Sequence, residues 1–122
     1  MKKRDFLKTS VALASTTIIP SPLLASISSK KNVLRTAHIG VGGMGASDLE
    51  SIASHKSVNV VALCDVDENS LDEAQKKYPG AKSFKDYRIM LKEMSENIDA
   101  VVVSTPDHTH APASMLAMEM NK

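Results

Sequence analysis

The stretch Val33-Leu34-Arg35-Thr36-Ala37-His38-Ile39-Gly40-Val41-Gly42-Gly43-Met44-Gly45 decides the fold. Val33 to Val41 reads as a strand that runs into a glycine-rich turn. Gly43 to about Ser54 then reads as a short amphipathic helix, with Met44, Leu49, Ile52 and Ala53 on one side. Gly40, Gly42 and Gly45 match the pattern G-x-G-x-x-G in a strand–turn–helix setting. In that pattern the first glycine permits the tight turn, the second lets backbone approach a pyrophosphate, and the third lets the helix pack on the strand. The helix N-terminus adds N–H groups and partial positive charge for phosphate, which makes Gly43 and Met44 candidates beside the three pattern glycines.

The chain downstream repeats the alternation. Val58 to Cys64 is a nearly continuous apolar run, the pattern of a strand buried on both faces of a parallel sheet. Glu68 to Tyr78 reads as a polar helix stopped by Pro79-Gly80, and Ala81 to Phe84 as a short third strand. Ser83-x-x-Asp86 offers a capping box for a helix to about Met94, with Tyr87, Leu91 and Met94 facing inward. Ile98 to Ser104 carries three consecutive valines and reads as a fourth strand, and Pro106 to Lys122 as a final helix. The order β-α-β-α-β-α-β-α predicts an α/β class with a doubly wound parallel sheet of about four strands in the order 3-2-1-4, a partial Rossmann fold.

Asp65 ends the second strand, 20 residues after Gly45. There the dinucleotide fingerprint places an acid that binds the ribose hydroxyls. A carboxylate at this point repels a 2′-phosphate, and no Arg or Lys follows at Val66 or Asp67 to offset it, so NAD is expected over NADP. As a purely structural residue Asp65 would be a turn or cap residue, but Asp67 is the better helix cap. The turn Ser104-Thr105-Pro106-Asp107-His108-Thr109-His110 leaves the C-terminal end of a central strand, where open α/β sheets bind ligands. Thr105 and Pro106 suit a rigid wall beside a nicotinamide, and His110 is expected in the cofactor pocket. His108 is expected as a solvent-facing turn residue. A metal reading of His108 and His110 is set aside, because zinc and iron sites need three or four convergent ligands. His38 and His55 read as structural, and Cys64 as a small buried hydrophobe.

Composition narrows the classes further. The chain has 122 residues, 43% hydrophobic and 24% charged, which suits one globular domain at most. One Cys excludes an internal disulfide scaffold. A net charge of +1 with 3% aromatics gives no support for nucleic-acid binding. The charge is split: Lys2, Lys3, Arg4, Lys8 and Lys30 face one acid, Asp5, in the first 30 residues, whereas the rest carries 10 basic and 13 acidic residues, a net of −3.

Residues 1–30 therefore read as an export signal and linker ahead of a domain over residues 31–122. Thr9 to Ser29 carries no charge, but its Ser, Thr and Pro content makes it unfit for a stable membrane span. Lys3-Arg4-Asp5-Phe6-Leu7-Lys8 resembles the twin-arginine signal, with Phe6, Leu7 and Lys8 matching and Lys3 in place of the first Arg. That implies export machinery as a partner and a periplasmic or extracellular location. The general secretory route and a basic tail on a cytoplasmic protein are the alternatives.

Together, Gly40-x-Gly42-Gly43-x-Gly45, Ala62-Leu63-Cys64-Asp65-Val66-Asp67 and Thr105-Pro106-x-x-x-His110 resemble the glucose–fructose oxidoreductase / inositol dehydrogenase / MocA-like (Gfo/Idh/MocA) family, over about Val33 to Lys122. The resemblance implies a two-domain enzyme acting on sugars, cyclitols or polyols with a nicotinamide cofactor, and implies that Thr105, Pro106 and His110 line the nicotinamide side. The family's catalytic lysine sits in a Glu-Lys-Pro motif after a fifth strand, beyond Asn121-Lys122, so no catalytic residue is carried over. The expectation is an N-terminal fragment without its substrate domain, marginally stable alone and with an apolar fourth strand at an open edge. Three functions fit: the dinucleotide-binding part of an exported sugar or polyol oxidoreductase, the same part of an NAD-dependent glycosidase that uses transient oxidation, or a non-catalytic nucleotide-binding module.

Overall fold

The computed structural model describes residues 33–122, which fall within a unit spanning Lys31–Lys122. The expected export signal lies outside the described residues. Four strands and four helices alternate: β1 (Leu34–Ile39), α1 (Met44–Ala53), β2 (Val58–Cys64), α2 (Glu68–Lys77), β3 (Lys82–Phe84), α3 (Tyr87–Met94), β4 (Ala100–Val103) and α4 (Asp107–Glu119), with a 3-10 turn at Ser95–Asn97 before β4. All pairings are parallel and the sheet order is β3-β2-β1-β4, as the alternation predicts. No helix among the described residues is long and apolar enough to cross a membrane.

Two apolar layers sandwich the sheet. On one face Ala37, Ile39, Ala62 and Cys64 meet Met90 and Leu91 of α3 and Ala113 and Ala117 of α4. On the other, Val60 and Leu63 meet Leu49 of α1 and Leu71 and Ala74 of α2. β2 contributes to both layers, which is why it reads as a near-continuous apolar run, whereas β1 gives Ala37 and Ile39 to the first layer and alternates them with the buried polar Thr36 and His38. At the N-terminal edge, Arg35 on β1 grips Asp99 just before β4, with Nη2 to Oδ1 at 2.7 Å and Nε to Oδ2 at 2.9 Å. The guanidinium holds the Asp99 carboxyl down at about 2.

Several local expectations shift. β1 ends at Ile39 rather than Val41, because Gly40 takes φ +84 and turns the chain. A side chain there would also stand 2.6 Å from the Ser104 carbonyl oxygen. Met44 does not face inward: it is 79% exposed, and α1 buries Gly45 and Leu49 instead. The Ser83–Asp86 capping box does not form. Ser83 is part of β3 and donates to Gln75 Oε1, while Asp86 caps α3 alone, accepting from Arg88 N at 2.9 Å. α4 stops at Glu119, with Asn121 in the left-handed region at φ 57.

Candidate functional site

The C-terminal ends of β1, β2 and β4 open onto one cavity of about 470 Å³. Gly42 and Gly43 form one side of it, Asp65 and Val66 another, and Thr105 and Pro106 a third. Strand order reverses between β1 and β4, so this is the crevice where open sheets accept ligands.

Asp65 organises the glycine turn. Its Oδ2 accepts from Val41 N at 2.8 Å and Gly42 N at 3.3 Å, and its Oδ1 accepts from Asp67 N at 2.9 Å. A charged acceptor on backbone N–H groups makes bonds about twice as strong as neutral ones, so the turn is held from the end of β2. Asp67 caps α2, accepting from Asn69 N at 3.2 Å, which leaves Asp65 free of that duty. Gly45 lies so close to the Gly40 carbonyl that a Cβ would overlap main-chain atoms. The third glycine of the pattern is thus a packing requirement of α1 on β1.

The α1 N-terminus is open. Gly43 is its N-cap, no side chain caps it, and its first turn holds no acid. Gly45 N and Ala46 N already donate to the Gly42 and Gly43 carbonyls at 2.9 and 3.2 Å, which leaves Gly43 N and Met44 N without a partner among the described residues, and the helix field favours an anion there. The α4 N-terminus, at Pro106, also lacks a side-chain cap but carries Asp107 in its first turn, which disfavours an anion at that end. Ser104 Oγ donates to Asp48 Oδ2 at 2.6 Å, tying α1 to the end of β4. The Thr105 hydroxyl is buried and has no hydrogen-bond partner among the described residues. Buried polar groups normally have partners, so an orphan hydroxyl lining a cavity suits a polar ligand.

Two other groups are chemically quiet. Cys64 is 2% exposed, and burial, with the nearby carboxylates of Asp65 and Asp86, pushes its thiol up to about 12. It is a thiol at neutral pH and no nucleophile. His38, 2% exposed in β1, shares a hydrogen bond with Thr36 Oγ1 at 3.1 Å, and burial lowers it to about 4 against a weaker opposing pull from Asp48. His55 is exposed, and its Nδ1 accepts from Ser57 N at 3.2 Å. No group of three His, Cys, Asp or Glu side chains among the described residues is arranged to hold a metal ion.

The cavity gathers Gly40, Gly42, Gly43, Asp65, Thr105 and Pro106 of the residues singled out in the sequence. Met44, Gly45 and His110 are not among its lining residues: Met44 is exposed at the start of α1, Gly45 is buried under the turn, and His110 is exposed in the first turn of α4. His108 and Thr109 border the cavity instead, because α4 begins at Asp107 and its first turn faces the crevice. Ser70, Lys85 and Tyr87 also border it and carried no sequence signal for that role. Lys85 arrives from the turn after β3, 40 residues beyond the last glycine of the turn.

Residues 34–122 match the model of an oxidoreductase family with an NAD-binding Rossmann fold, GFO_IDH_MocA. A "Glycosyl hydrolase family 109 protein" of Stenotrophomonas maltophilia is 30% identical over 131 residues, covering 98% of this chain and 28% of that protein. The "Alpha-N-acetylgalactosaminidase" of Shewanella oneidensis is 28% identical over 120 residues, covering 88% of this chain and 26% of that protein. Among solved structures, Lactobacillus casei myo-inositol dehydrogenase in complex with NAD(H) and myo-inositol superposes with a TM-score of 0.67 at 26% identity, over 74% of this chain and 26% of that one. The chain thus spans about a quarter of the length of the relatives it matches, 28% and 26% for the two curated ones.

Proposed function

This chain belongs to the Gfo/Idh/MocA oxidoreductase family, and on that premise we propose that its described residues hold NAD for a sugar-acting enzyme. The single observation that carries the reading is the convergence of the uncapped α1 N-terminus and the Asp65-anchored glycine turn on one cavity. Gly40, Gly42, Gly43 and Met44 present backbone to a pyrophosphate, and Gly45 keeps α1 close enough to do so. Val41 N, Gly42 N and Asp67 N take three of the roughly four acceptor sites of Asp65, which leaves about one, on Oδ1, for a ribose hydroxyl. Thr105, with its unpartnered hydroxyl, and Pro106 take the nicotinamide side, with His108 at the cavity rim. NAD supplies a reversible hydride acceptor there when bound.

Two reactions fit a bound nicotinamide. The family name and the NAD(H)-bound inositol dehydrogenase support net oxidation of a sugar or polyol. The curated relatives, glycosyl hydrolases by name and matched over up to 98% of this chain, support glycoside cleavage through a transient oxidation with no net redox change. Incubating the full-length protein with NAD and either a free cyclitol or an aryl glycoside separates them. Net oxidation accumulates NADH with substrate. Glycoside cleavage releases sugar and aglycone without NADH. Failure to bind NAD at all overturns the reading.

Residues 1–30 are assigned as an export signal for a periplasmic or extracellular enzyme, supported by Lys3-Arg4-Asp5-Phe6-Leu7-Lys8 and the uncharged stretch behind it. A reporter fused after residue 30 should leave the cytoplasm, and Arg4→Gln should retain it there. A reporter indifferent to both changes contradicts the assignment.

A further inference from the structure

The sequence offers no cation beside Asp65, but the fold supplies one. Asp65 N donates to the Phe84 carbonyl at 3.2 Å, so β3 ends alongside the end of β2. Lys85, the next residue, therefore leaves the sheet at the same end as Asp65, and both line the cavity. It is the one lysine or arginine lining the cavity among the described residues. Its ammonium is engaged by the carboxylate of Glu68, the first residue of α2. The two side chains are 66% and 68% exposed, so water can replace either partner cheaply. Three charged groups thus meet where the ribose of a dinucleotide is expected: Asp65 toward the cavity, Lys85 beside it, and Glu68 covering Lys85.

We propose that Lys85 is a latent receptor for a ribose 2′-phosphate, partly masked by Glu68, so that NAD preference is set by Asp65, Glu68 and Lys85 together. This rests on the dinucleotide reading above. Asp65 repels the phosphate directly, and Glu68 acts through Lys85 by occupying its donors. A free lysine beside Asp65 would offset part of the repulsion from a group carrying about −1.5 to −2 charge.

The test measures NAD and NADP dissociation constants by calorimetry on the full-length protein, with melting midpoints as a control for folding. Glu68→Gln should lower the Kd(NADP)/Kd(NAD) ratio by about fivefold, the scale of one exposed ion pair. Adding Lys85→Met should return the ratio to its starting value. In an Asp65→Ser background the gain from Glu68→Gln should be larger and again depend on Lys85. If Asp65→Ser does not fold, the Glu68 and Lys85 variants, both at exposed positions, still decide the matter. A ratio that falls equally with or without Lys85 assigns the effect to loss of a nearby negative charge and overturns the proposal. An unchanged ratio overturns it too. An unsubstituted protein that binds neither dinucleotide overturns the functional reading and this inference together, whereas NAD binding with a Lys85-independent ratio overturns this inference alone.

Discussion

The four described helices begin in two different ways. α2 and α3 are each closed by an aspartate, Asp67 and Asp86, that accepts a hydrogen bond from the second residue of its helix. α1 and α4 begin at Gly43 and Pro106 with no side-chain cap. The two open starts lie against the cavity, where Gly43 and Pro106 are lining residues. A cap costs nothing to include in a polar loop and stabilises a helix, so a start without one stands out. At α1 no acid occupies the first turn either, so the helix field is unspent and Gly43 N and Met44 N remain without a partner among the described residues. The helices that only need to be stable are finished locally, and the helix that opens onto the crevice is left for a ligand to finish.

The largest test of this contrast is at Gly45. A side chain there overlaps the Gly40 main chain, and neither backbone can yield without lifting α1 off β1. Gly45→Val should cost about 3 kcal/mol or more in denaturant unfolding and remove measurable NAD binding. A Gly45→Val protein that melts normally and binds NAD would show that the α1 start is not held where the cavity needs it.

Asp65→Ala comes next. It strips the glycine turn of its charged acceptor at Val41 N and Gly42 N and takes away the ribose ligand. NAD affinity should fall by about 10–100-fold, the range for hydrogen bonds to a charged group. Calorimetric titration reads it, and an unaltered affinity contradicts the role.

The glycine spacing, Asp65 and the strand order were legible in the sequence because each follows from local chemistry: G-x-G-x-x-G between a strand and a helix, an acid closing an apolar run, and alternation with a helical period. What was not legible is what the fold assembles from distant segments. Lys85 sits beside Asp65 only because β3 pairs with β2. Met44 misled because it has the right period for a buried face, yet as the first residue of its helix it is left exposed. Ser83 misled because the S-x-x-D spacing fits a box, while the strand persists through Phe84 and Asp86 reaches the first turn itself. His108 read as a solvent-facing turn residue, and it is exposed, but because α4 starts at Asp107 it also borders the crevice.

Acid should resolve the two regions into separate pH windows. His38 lies in β1 within the field of Asp48, which α1 carries, and burial lowers it from 6.5 to about 4. The unfolded chain takes up this proton near 6.5 and the folded chain only near 4, so the neutral ring's contribution is complete above 6.5 and is lost as pH falls toward 4. Its full size is on the order of 3 kcal/mol. Asp86, at the capped start of α3, is held at about 2 against an ordinary 3.8 by Arg88, so its contribution persists above 3.8 and disappears only as pH falls toward 2. Melting midpoints between pH 7 and 4 should therefore decline in the native protein and stay flatter in His38→Gln. Equal slopes in the two proteins would remove His38 from the account.

The smallest effect belongs to a closed helix start. Asp86→Ala removes the α3 cap at 2.9 Å from Arg88 N and the paired Arg88 side chain. One lost cap should lower the melting midpoint by about 4–8 °C in a domain of this size. NAD affinity should stay within about twofold, because Asp86 is not among the residues lining the cavity and its hydrogen bonds are spent inside α3. Thermal melting and titration on the same sample read both quantities. The two helix classes separate only if a loss at α3 appears in the melt alone while a loss at the glycine turn appears in the titration. A fall in NAD affinity in Asp86→Ala comparable to that in Asp65→Ala would mean that the capped and open starts are parts of one cooperative unit, and the division between them would fail.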